Sequence, residues 1–334
     1  MEGPNLSKKR LLIIDSNSLI HRAYHALPLL TTPKGELVNA IYGFLLVFLK
    51  AIKELNPDFI AATFDFPAPT FRHKKFKEYK AKRPPAPEEL YRQIPKVKEI
   101  LKTFNISIFE KEGFEADDLI GTISHLAPKK QAFPEVAEAL PHLPPSSASP
   151  SSAIETIILS GDLDALQLVN KNTKVYTLKK GVKDTVLYDK ERVKEKYQGL
   201  TPEQLPDFKA LKGDPSDNIP GVSGIGEKTA IELIREFGSL EALYQNLEEK
   251  TEEIKKIKPK LREILLQQKE QAFFSGMLSQ IRKDVPIDFN LEKCRWKEYD
   301  KEKVAQIFKN LEFYSLIDRL PREGEKDEKN LKLW

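Results

Sequence analysis

Acidic residues recur in this sequence as short clusters at the places where regular elements begin or end. The cluster EADDLIGTISHL opens an apparent helix, and the clusters GDLDALQL and GDPSDNIPG lie in turns. Any one cluster alone is explained by helix capping or turn formation. Together with the aspartates that end apolar runs, the clusters supply nine carboxylates: Asp15, Asp65, Glu115, Asp117, Asp118, Asp162, Asp164, Asp214 and Asp217.

Nine carboxylates gathered at one crevice would need a counter-charge, because like charges a few ångströms apart disfavour each other's ionisation. Divalent cations supply that charge, and an all-oxygen ligand set suits Mg²⁺ or Mn²⁺. No His/Cys spacing of the sequence fits a zinc site. Two ions about 3.5–4 Å apart would activate a water molecule and stabilise the leaving oxygen of a phosphodiester. The predicted chemistry is therefore phosphodiester hydrolysis.

Strands must position these acids. Three apolar runs, at 11–15, 59–65 and 156–162, predict buried strands, and each run ends in an aspartate. Helix-like segments separate the runs, which predicts an α/β fold with a mostly parallel central sheet and helices on both faces. Because the functional crevice of such a sheet lies outside the carboxyl ends of its strands, the three aspartates are expected to converge there.

A basic segment, FRHKKFKEYKAKR at 71–83, carries seven lysines and arginines against one glutamate, a net charge of +6 in a chain whose total is +4. The pattern predicts an amphipathic helix that stops at Arg83, before two prolines. Aromatic residues between the cations would stack on unpaired bases while the cations track phosphates. A solvated basic surface is the alternative interpretation.

The sequence GVSGIGEKTAIELIREFG predicts a glycine-rich turn immediately before a helix. Glycine lets the backbone approach a phosphate, and the N–H groups at a helix start favour an anion. A turn of this kind is most often only a tight turn. It resembles the hairpin of helix-hairpin-helix duplex binders, with Lys228 beside the expected phosphate. It lacks the preceding strand of a dinucleotide-binding fingerprint.

Composition divides the chain of 334 residues into parts. Residues 10–200 are predicted to form the catalytic α/β domain, and residues 201–320 are predicted to form a subdomain of helices only. Pro and Ser make up nine of the thirteen residues at 141–153, so we expect a disordered surface insert at about 128–155. The terminal segments expected to be flexible are 1–9 and 321–334.

The cellular compartment is predicted from what the sequence lacks. The single cysteine, Cys294, cannot form an internal disulfide, and neither a signal peptide nor an apolar run of about 20 residues is recognisable. These features predict an intracellular, cytoplasmic protein that does not contact a membrane. The small net charge alone indicates little about partners, because mild basicity is common.

Five motifs, taken in order, resemble those of a known family: IIDSNSLIHRAYHA, FDFPAPTFRHKKFKEYKAKRP, EGFEADDLIGT, LSGDLDALQL and KGDPSDNIPGVSGIGEKTA. They are similar to the 5′-nuclease (5′→3′ exonuclease) domain of bacterial DNA polymerase I, in the flap endonuclease superfamily, over about residues 10–320. The resemblance implies a 5′-nuclease (PIN-like) fold with a helical arch and a C-terminal helical subdomain of helix-hairpin-helix type. It implies structure-specific 5′→3′ exonuclease and flap endonuclease activity near 5′ single-strand junctions, for primer removal and repair.

The resemblance also implies roles for individual residues. One metal cluster would be held by Asp15, Asp65, Glu115, Asp117 and Asp118. A second metal position would be completed by Asp162, Asp164, Asp214 and Asp217. The catalytic cations that contact the scissile phosphate would be Lys80 and Arg72. The implied DNA contacts are Arg22 and Tyr24 near a flipped 5′ nucleotide, Tyr79 as a stacking position, and Lys75, Arg83, Val222, Gly224, Ile225, Gly226 and Lys228.

The implied cofactors are two divalent cations, Mg²⁺ or Mn²⁺, and a K⁺ ion bound by backbone carbonyls of the glycine turn. The expected partners are DNA with 5′ flaps, nicks, gaps or forks, and RNA–DNA primers. The protein is expected to be a monomer, or to be fused to or cooperate with a DNA polymerase, at the bacterial nucleoid.

Two alternative functions remain open from the sequence. The first is a short-form relative or a ribonuclease of the related sheet class, which Asp214, Asp217 and the glycine turn disfavour. The second is a non-catalytic module that recognises flaps or gaps through Arg72, Lys80 and the duplex clamp. Such a module would not need nine carboxylates in a basic groove, because unneutralised acid repels phosphate.

Overall fold

The computed structural model describes residues 8–130, 154–182, 184–296 and 298–321. The strands are β1 (Arg10–Asp15), β2 (Phe59–Thr63), β3 (Ser107–Phe109), β4 (Glu155–Ser160), β5 (Thr173–Lys180) and β6 (Asp184–Tyr188). They form one six-stranded sheet in the order β3-β2-β1-β4-β5-β6. Neighbouring strands pair in parallel except for β5 and β6, which are antiparallel. The predicted fold class is confirmed.

Helices surround this sheet and follow it in sequence. They are α1 (Ser16–Ala26), α2 (Asn39–Leu55), α3 (Phe71–Lys75), α4 (Glu88–Thr103), α5 (Ala116–Lys130), α6 (Lys190–Lys196), α7 (Leu205–Lys212), α8 (Glu227–Phe237), α9 (Leu240–Glu249), α10 (Pro259–Gln267), α11 (Lys269–Ser279), α12 (Lys301–Asn310) and α13 (Tyr314–Ile317). Short 3₁₀ helices cover Leu163–Leu168, Pro202–Gln204, Glu252–Lys256 and Glu292–Cys294.

The central strands are buried on both faces, because alternate side chains enter two different cores. Leu12 and Ile14 of β1 face the core that contains the apolar sides of α1, α2 and α4. Leu11 and Ile13 face the core that contains α5 and continues into α7–α11. The carboxyl edge of β1 is therefore held between two packed layers, which fixes the direction of the side chains at its end.

The aspartates after the central strands lie at this carboxyl edge. Asp15 is the last residue of β1, as predicted. β2 and β4 both end two residues earlier than predicted, so Asp65 and Asp162 follow their strands instead of ending them. At β4 the reason is local, because Asp162 caps the 3₁₀ helix Leu163–Leu168 instead of continuing the strand. Its side chain accepts a hydrogen bond from the N–H of Asp164.

The helical region after residue 201 divides between the two faces of the sheet. The described residues there contain no strand of the sheet, as predicted. Apolar residues of α7–α11 continue the core of the α5 face. In contrast, Val304 and Phe308 of α12 and Leu316 of α13 join the core of the opposite face, with α2 and α4. The end of the region predicted as a DNA-binding subdomain therefore packs with the catalytic domain.

The predicted insert and the chain ends fall largely outside the described residues. α5 continues through Pro128 to Lys130 and β4 begins at Glu155, so regular elements occupy both margins of the segment predicted at 128–155. Residues 1–7, 131–153 and 322–334 lie outside the described residues, and they make up most of the insert and of the flexible ends predicted at 1–9 and 321–334. No helix among the described residues is long and apolar enough to cross a membrane.

The basic segment 71–83 is only partly helical, so the prediction of a helix that stops at Arg83 is corrected. α3 ends at Lys75, and Phe76 adopts an extended backbone with φ −141° and ψ 101°. The remaining residues form turns, in which Lys80 takes the left-handed conformation with φ +56°. Helix propensity is outweighed here because Tyr79 and Lys80 turn inward to contact carboxylates at the edge of the sheet.

Candidate active site at the carboxyl edge of the sheet

Serine hydroxyls join the ends of β1 and β4. The Ser160 hydroxyl donates a 2.6 Å hydrogen bond to Oδ2 of Asp15 and accepts one of 2.9 Å from the N–H of Asp162. The N–H of Ser18 donates to Oδ1 of Asp15 at 3.2 Å, which caps α1. Burial, with the charges of Asp162 and Asp65, raises the pKa of Asp15 to about 6, although these hydrogen bonds oppose the shift.

Asp65 links the loop after β2 to the start of α5. Its Oδ1 atom accepts a 2.8 Å hydrogen bond from the N–H of Ala116, and its own N–H donates to Oδ1 of Asn17 at 3.2 Å. Burial raises the pKa of Asp65, and the charge of Glu115 adds to that effect, whereas the bond from Ala116 opposes it. A cation beside this carboxylate would stabilise its ionised form.

Asp118 has no free acceptor position on its carboxylate. The side chain is fully buried and accepts two hydrogen bonds from Arg72, one from the N–H of Glu115 and one from the N–H of Arg282. An ionised carboxylate has about four acceptor sites, and all are used. The structure therefore corrects the predicted metal-ligand role of Asp118, which instead neutralises a buried arginine.

Asp117 is adjacent in sequence but has different surroundings. Its Oδ1 atom is buried and has no hydrogen-bond partner within the described part of the chain. Burial raises the pKa of Asp117 well above its usual range, with a further contribution from the charges of Asp118 and Glu115 that Arg72 opposes. A buried carboxylate oxygen without a partner is costly, so this position favours a bound cation.

The buried position of Arg72 contradicts the prediction that this side chain contacts a phosphate. The side chain is 1% exposed, and its Nη1 atom lies 2.7 Å from Oδ2 of Asp118 and 3.3 Å from Oε2 of Glu115. Charged side chains are almost never this buried unless they are paired. Burial lowers the pKa of Arg72, but the surrounding carboxylates outweigh that effect and raise it. Arg72 is an internal counter-charge of α5.

Tyr79 and Lys80 reach the same acidic region from the turn after α3. Nζ of Lys80 lies 2.7 Å from Oε1 of Glu115, and its backbone N–H donates to the carbonyl of Asp217 at 2.9 Å. The Tyr79 hydroxyl lies 3.0 Å from Oε2 of Glu115 and 3.1 Å from Oδ2 of Asp217, which share its single hydrogen. Burial lowers the pKa of Lys80, but the charge of Glu115 outweighs it, so Lys80 stays protonated.

The predicted stacking role of Tyr79 is corrected by its burial. The ring is 3% exposed and packs edge-on against His73, with centroids 5.2 Å apart, so no ring face is available to a base. Arg83, predicted to contact DNA, donates from Nη2 to Oδ1 of Asp217 and from Nε to the carbonyl of Ser216 at 3.0 Å. Both residues hold the basic segment at the carboxylates, and the DNA contact of Arg83, whose side chain is 47% exposed, stays a prediction.

Lys209 of α7 joins the second group of acids. Its Nζ atom contacts Oδ1 of Asp164 and lies 2.7 Å from Oδ2 of Asp214. Burial and the charge of Asp162 raise the pKa of Asp164 despite this cation. Burial also acts to raise the pKa of Asp214, but Lys209 and the Ser216 hydrogen bonds outweigh it and lower the pKa to about 2.

The turn that carries Asp214 and Asp217 is closed by two glycines. Gly213 and Gly221 have φ of +80° and +67°. A Cβ atom added at Gly221 would lie 2.3 Å from the backbone nitrogen of Gly213, so no larger residue fits. An antiparallel bridge between Asp214 and Ile219 completes the turn. Gly221 therefore shapes the acidic turn and does not serve the phosphate contact predicted for the glycine-rich sequence.

The glycine turn before α8 lies on the surface of the helical region. Gly224 has φ +88°, and a Cβ added there would meet only Ile264, at 4.0 Å. Val222 and Ile225 are buried, and the N–H of Ile225 donates to the carbonyl of Val222 at 3.0 Å, so the exposed part of the turn is at its glycines. The Lys228 side chain is 88% exposed. These positions are compatible with the predicted contact to a duplex.

Three other predicted DNA contacts differ in their surroundings. Nη2 of Arg22 donates to the carbonyls of Leu178 and Lys179 at 3.3 and 3.1 Å. Tyr24 is partly buried against the core of the α2 face. Lys75, at the end of α3, is exposed to solvent.

The described residues contain no group of three or more Asp, Glu, His or Cys side chains already arranged as metal ligands. Several of the predicted ligands instead contact Lys80, Arg83 or Lys209. The donor set nevertheless fits a hard divalent cation: it consists of carboxylate oxygens, and one of these, on Asp117, is buried and unpartnered.

Sequence reasoning missed the groups that hold the carboxylates in place. The main examples are Asn17, Ser18, Ser160, Lys209 and Ser216. Ser18 and Ser160 stand two or three residues from an aspartate, which is a usable signal for capping. Lys209 carried no such signal, because its contact with Asp164 spans 45 residues of sequence.

Comparison with protein families gives two matches along the chain. Residues 10–137 match the family described as 5′-3′ exonuclease, N-terminal resolvase-like domain. Residues 200–302 match 5′-3′ exonuclease, C-terminal SAM fold. The first matched segment contains β1–β3 with α1–α5, and the second contains α7–α11.

Curated relatives carry the name DNA polymerase I. The chain is 40% identical over 326 residues to DNA polymerase I of Bacillus subtilis, covering 98% of this chain and 34% of that protein. It is 44% identical over 313 residues to DNA polymerase I of Caldicellulosiruptor bescii, covering 93% of this chain and 33% of that protein. The chain spans about a third of the length of these relatives.

Solved structures share the fold at low sequence identity. The T5 D15 protein co-crystallised with metal ions superposes with a TM-score of 0.59 at 20% identity, covering 82% of this chain and 90% of that chain. The catalytic core of Rad2 in complex with a DNA substrate superposes with a TM-score of 0.52 at 17% identity, covering 91% of this chain and 88% of that chain.

Proposed function

The chain belongs to the 5′-3′ exonuclease family, and on that premise we propose that it hydrolyses DNA phosphodiesters near 5′ single-strand junctions. The activity is both 5′→3′ exonucleolytic and flap-endonucleolytic, and it depends on divalent cations. The resemblance drawn from five sequence motifs leads to the same family.

One observation carries the proposal: the buried, unpartnered oxygen of Asp117 lies in a group of carboxylates whose pKa values are raised. Burial and mutual repulsion raise the pKa of Asp15, Asp65, Asp117 and Asp164. Such a group is unfavourable for a purely structural protein, because every ionised member is destabilised. A phosphodiesterase that binds divalent cations has a use for these oxygens.

Eight carboxylates are the proposed ligands for two divalent cations, Mg²⁺ or Mn²⁺. The first position is assigned to Asp15, Asp65, Glu115 and Asp117, and the second to Asp162, Asp164, Asp214 and Asp217. Bound divalent cations lower the pKa of a water molecule and stabilise charge on the leaving oxygen. The protein's own contribution is to hold the oxygens at one edge of a rigid sheet, through Ser160, Asn17 and the start of α5.

Lys80 is the proposed catalytic cation. Its ammonium group lies at the carboxylates, and its backbone is held in a left-handed conformation by the bond to the Asp217 carbonyl. This placement lets Lys80 exchange its contact with Glu115 for a contact with a phosphate oxygen. The positive charge then counts most as negative charge develops during cleavage.

The duplex on one side of the junction is proposed to bind the glycine turn before α8. Gly224 and Gly226 allow close approach of a phosphate, and the exposed Lys228 lies at the start of that helix. A K⁺ ion at the carbonyls of this turn is part of the same proposal. Lys75 and the other exposed cations of 71–83 are assigned to the single-stranded side.

The biological role proposed is removal of primers and repair of damaged or displaced 5′ ends, including RNA–DNA primers. The relatives named DNA polymerase I support a partnership with a polymerase, in the same chain or beside it. The proposed substrates are flaps, nicks, gaps and forked duplexes, and the proposed place of action is the bacterial nucleoid.

The experiment that tests this function is cleavage of a 5′-labelled flap duplex in Mg²⁺ or in EDTA, with product length read on a gel. Asp162→Asn is the matched variant, because asparagine retains the oxygen that accepts from the N–H of Asp164 but lacks the charge. We expect products cut near the junction in Mg²⁺ and loss of at least about 100-fold in rate in the variant. Uncut DNA that stays bound in every metal would instead establish a non-catalytic flap-binding module.

A further inference from the structure

We propose that Arg72 is a positioning residue that connects the duplex-binding helices to the carboxylates at the start of α5. The inference rests on the proposed nuclease function. It gives Arg72 a positioning role in place of a direct contact with phosphate. It is carried by the hydrogen bonds of a single buried side chain.

All five N–H groups of the Arg72 guanidinium have partners inside the protein. Nε donates to the carbonyl of Leu278 at 2.9 Å. Nη1 donates to Asp118 at 2.7 Å and to Glu115 at 3.3 Å, and Nη2 donates to Asp118 and to the carbonyl of Gln280 at 2.8 Å each. Since arginine has five donors, none is left for a phosphate.

The partners of Arg72 belong to two different parts of the fold. Asp118 belongs to the first turn of α5 and Glu115 immediately precedes that helix, whereas the two carbonyls belong to the end of α11 and the residue that follows it. α11 packs closely on α7, which carries Lys209, and both helices belong to the region proposed to bind duplex DNA. Arg72 is therefore the charged junction between that region and the acidic site.

A strap formed by residues 280–285 reinforces this junction. The N–H of Arg282 donates to Oδ1 of Asp118 at 2.9 Å, and the N–H of Val285 donates to Thr122 at 3.0 Å. A Cβ atom added at Gly121 would lie 2.3 Å from the carbonyl oxygen of Arg282, so the strap runs against the backbone of α5. The strap, Arg72 and Asp118 form one hydrogen-bonded unit.

The consequence concerns the residues beside Asp118. Asp117 precedes it in the first turn of α5 and Glu115 lies just before that helix, so the direction of both side chains follows from the rotation of that turn about the helix axis. Arg72 holds Asp118 on the buried side and so keeps Asp117 directed toward the site. Residues of this kind that support metal ligands typically change metal affinity or activity by 10- to 100-fold when altered.

The test compares Arg72→Lys with the wild type by three measurements. Arg72→Lys keeps the charge but lacks the planar five-donor head group. Mn²⁺ binding is measured by electron paramagnetic resonance without DNA. Binding of a 5′-flap duplex is measured by fluorescence anisotropy in EDTA at several KCl concentrations. The single-turnover cleavage rate is measured at saturating DNA.

A positioning role predicts that Arg72→Lys weakens Mn²⁺ binding and slows single-turnover cleavage, each by about 10-fold or more. The slope of log affinity against log salt concentration should equal that of the wild type. A phosphate contact predicts the opposite pattern. Mn²⁺ binding would be unchanged, and a variant with a neutral residue at position 72 would show a slope of log affinity against log salt concentration smaller by about one. That pattern would overturn the proposal. Lys75→Gln, at an exposed position of α3, serves as the positive control for the slope.

A second variant places a neutral side chain at position 72 and keeps the test valid if Arg72→Lys does not fold. Arg72→Gln combined with Asp118→Asn removes both buried charges together, which is better tolerated than removing one. With circular dichroism as the check of folding, this variant should show weaker Mn²⁺ binding at an unchanged salt slope. Wild-type Mn²⁺ affinity with a reduced slope would overturn the proposal here too. If the wild type itself does not cleave DNA, the proposed function fails, but Mn²⁺ binding and the salt slope still decide the role of Arg72.

Discussion

The hydroxyl group of Ser160 donates a 2.6 Å hydrogen bond to Oδ2 of Asp15, and thereby ties the ends of two neighbouring parallel strands. A buried hydrogen bond to a charged group contributes about 1.5–3 kcal/mol. We therefore expect Ser160→Ala to lower the free energy of unfolding in EDTA by about 2 kcal/mol, and to slow flap cleavage because Asp15 loses its orientation. Urea denaturation and single-turnover kinetics measure the two effects.

The matched control is Thr156→Val on the same strand. The Thr156 hydroxyl is buried without a partner in the described structure, so its removal should leave stability unchanged or raise it. Equal destabilisation by Ser160→Ala and Thr156→Val would show that the hydrogen bond to Asp15 is unimportant.

Lys80→Ala is expected to slow cleavage far more than it weakens binding. The ammonium group lies at Glu115 within the carboxylates, where its charge acts on the phosphate as negative charge develops. We expect a loss of about 100-fold in single-turnover rate with a change in Kd below about fivefold. The control is Lys82→Ala, at an exposed cation assigned to the single-stranded side, which should weaken binding without slowing the single-turnover rate. A loss of affinity in Lys80→Ala with an unchanged single-turnover rate would contradict the catalytic role.

Lys209→Met is expected to make stability depend more strongly on divalent cations. Without the ammonium group, Asp164 and Asp214 face each other unneutralised, so unfolding in EDTA should become easier by about 2 kcal/mol. Added Mg²⁺ should restore much of this loss, since an ion that binds only the folded state stabilises it by mass action. Thermal melts in EDTA and in Mg²⁺ measure the difference.

Lys212→Met on the same helix is the control for Lys209. Its partner is the exposed Glu227, at 2.9 Å, and exposed ion pairs contribute about 0–1 kcal/mol. The melting temperature of this control should change little, with or without Mg²⁺. A Mg²⁺ response of Lys209→Met no greater than that of the control would count against the predicted coupling.

Asp207→Asn should stabilise the protein at neutral pH. Burial, with a contribution from Glu241, raises the pKa of Asp207 from 3.8 to about 6, although the N–H of Leu240 donates to its carboxylate at 3.1 Å. The folded state therefore binds more protons than the unfolded state between these pH values, and stability falls as pH rises through them. Asparagine keeps the acceptor oxygen and removes the titration.

The full shift corresponds to about 3 kcal/mol, which solvent screening of this partly exposed side chain reduces to about 1 kcal/mol. We expect that gain for Asp207→Asn at pH 7.5 and almost none at pH 4, measured by urea denaturation at both values. The exposed Glu195 offers the control Glu195→Gln. A gain that is the same at both pH values would show that ionisation of Asp207 does not limit stability.

The sequence alone was sufficient for three neighbouring parallel strands, β2, β1 and β4, and for the acids at their carboxyl ends, but not for β3, β5 and β6. Hydrophobic runs of strand length followed by aspartate are local patterns, and the rule that parallel strands open their crevice at one edge converts them into a site. Asp15 ends its strand as predicted, and Asp65 and Asp162 lie two residues past theirs.

Only the tertiary structure determined which of two neighbouring acids faces that site. Asp117 and Asp118 are identical in type, and successive positions on a helix differ by about 100° in direction. The side that is buried depends on Arg72 and on Arg282, which are 46 and 164 residues from Asp118 in sequence. No local pattern contains that information.

Long-range contacts also determine which cations of the basic segment 71–83 are buried. Composition distinguishes its cations from the rest of the chain, but it does not distinguish the fully buried Arg72 from the exposed Lys75 three positions later. A charged side chain is buried only where opposite charges and carbonyl groups from distant segments supply all its hydrogen bonds. The sequence determined that acids and bases would meet at this edge, and long-range packing determined which of them neutralise each other and which remain available to a ligand.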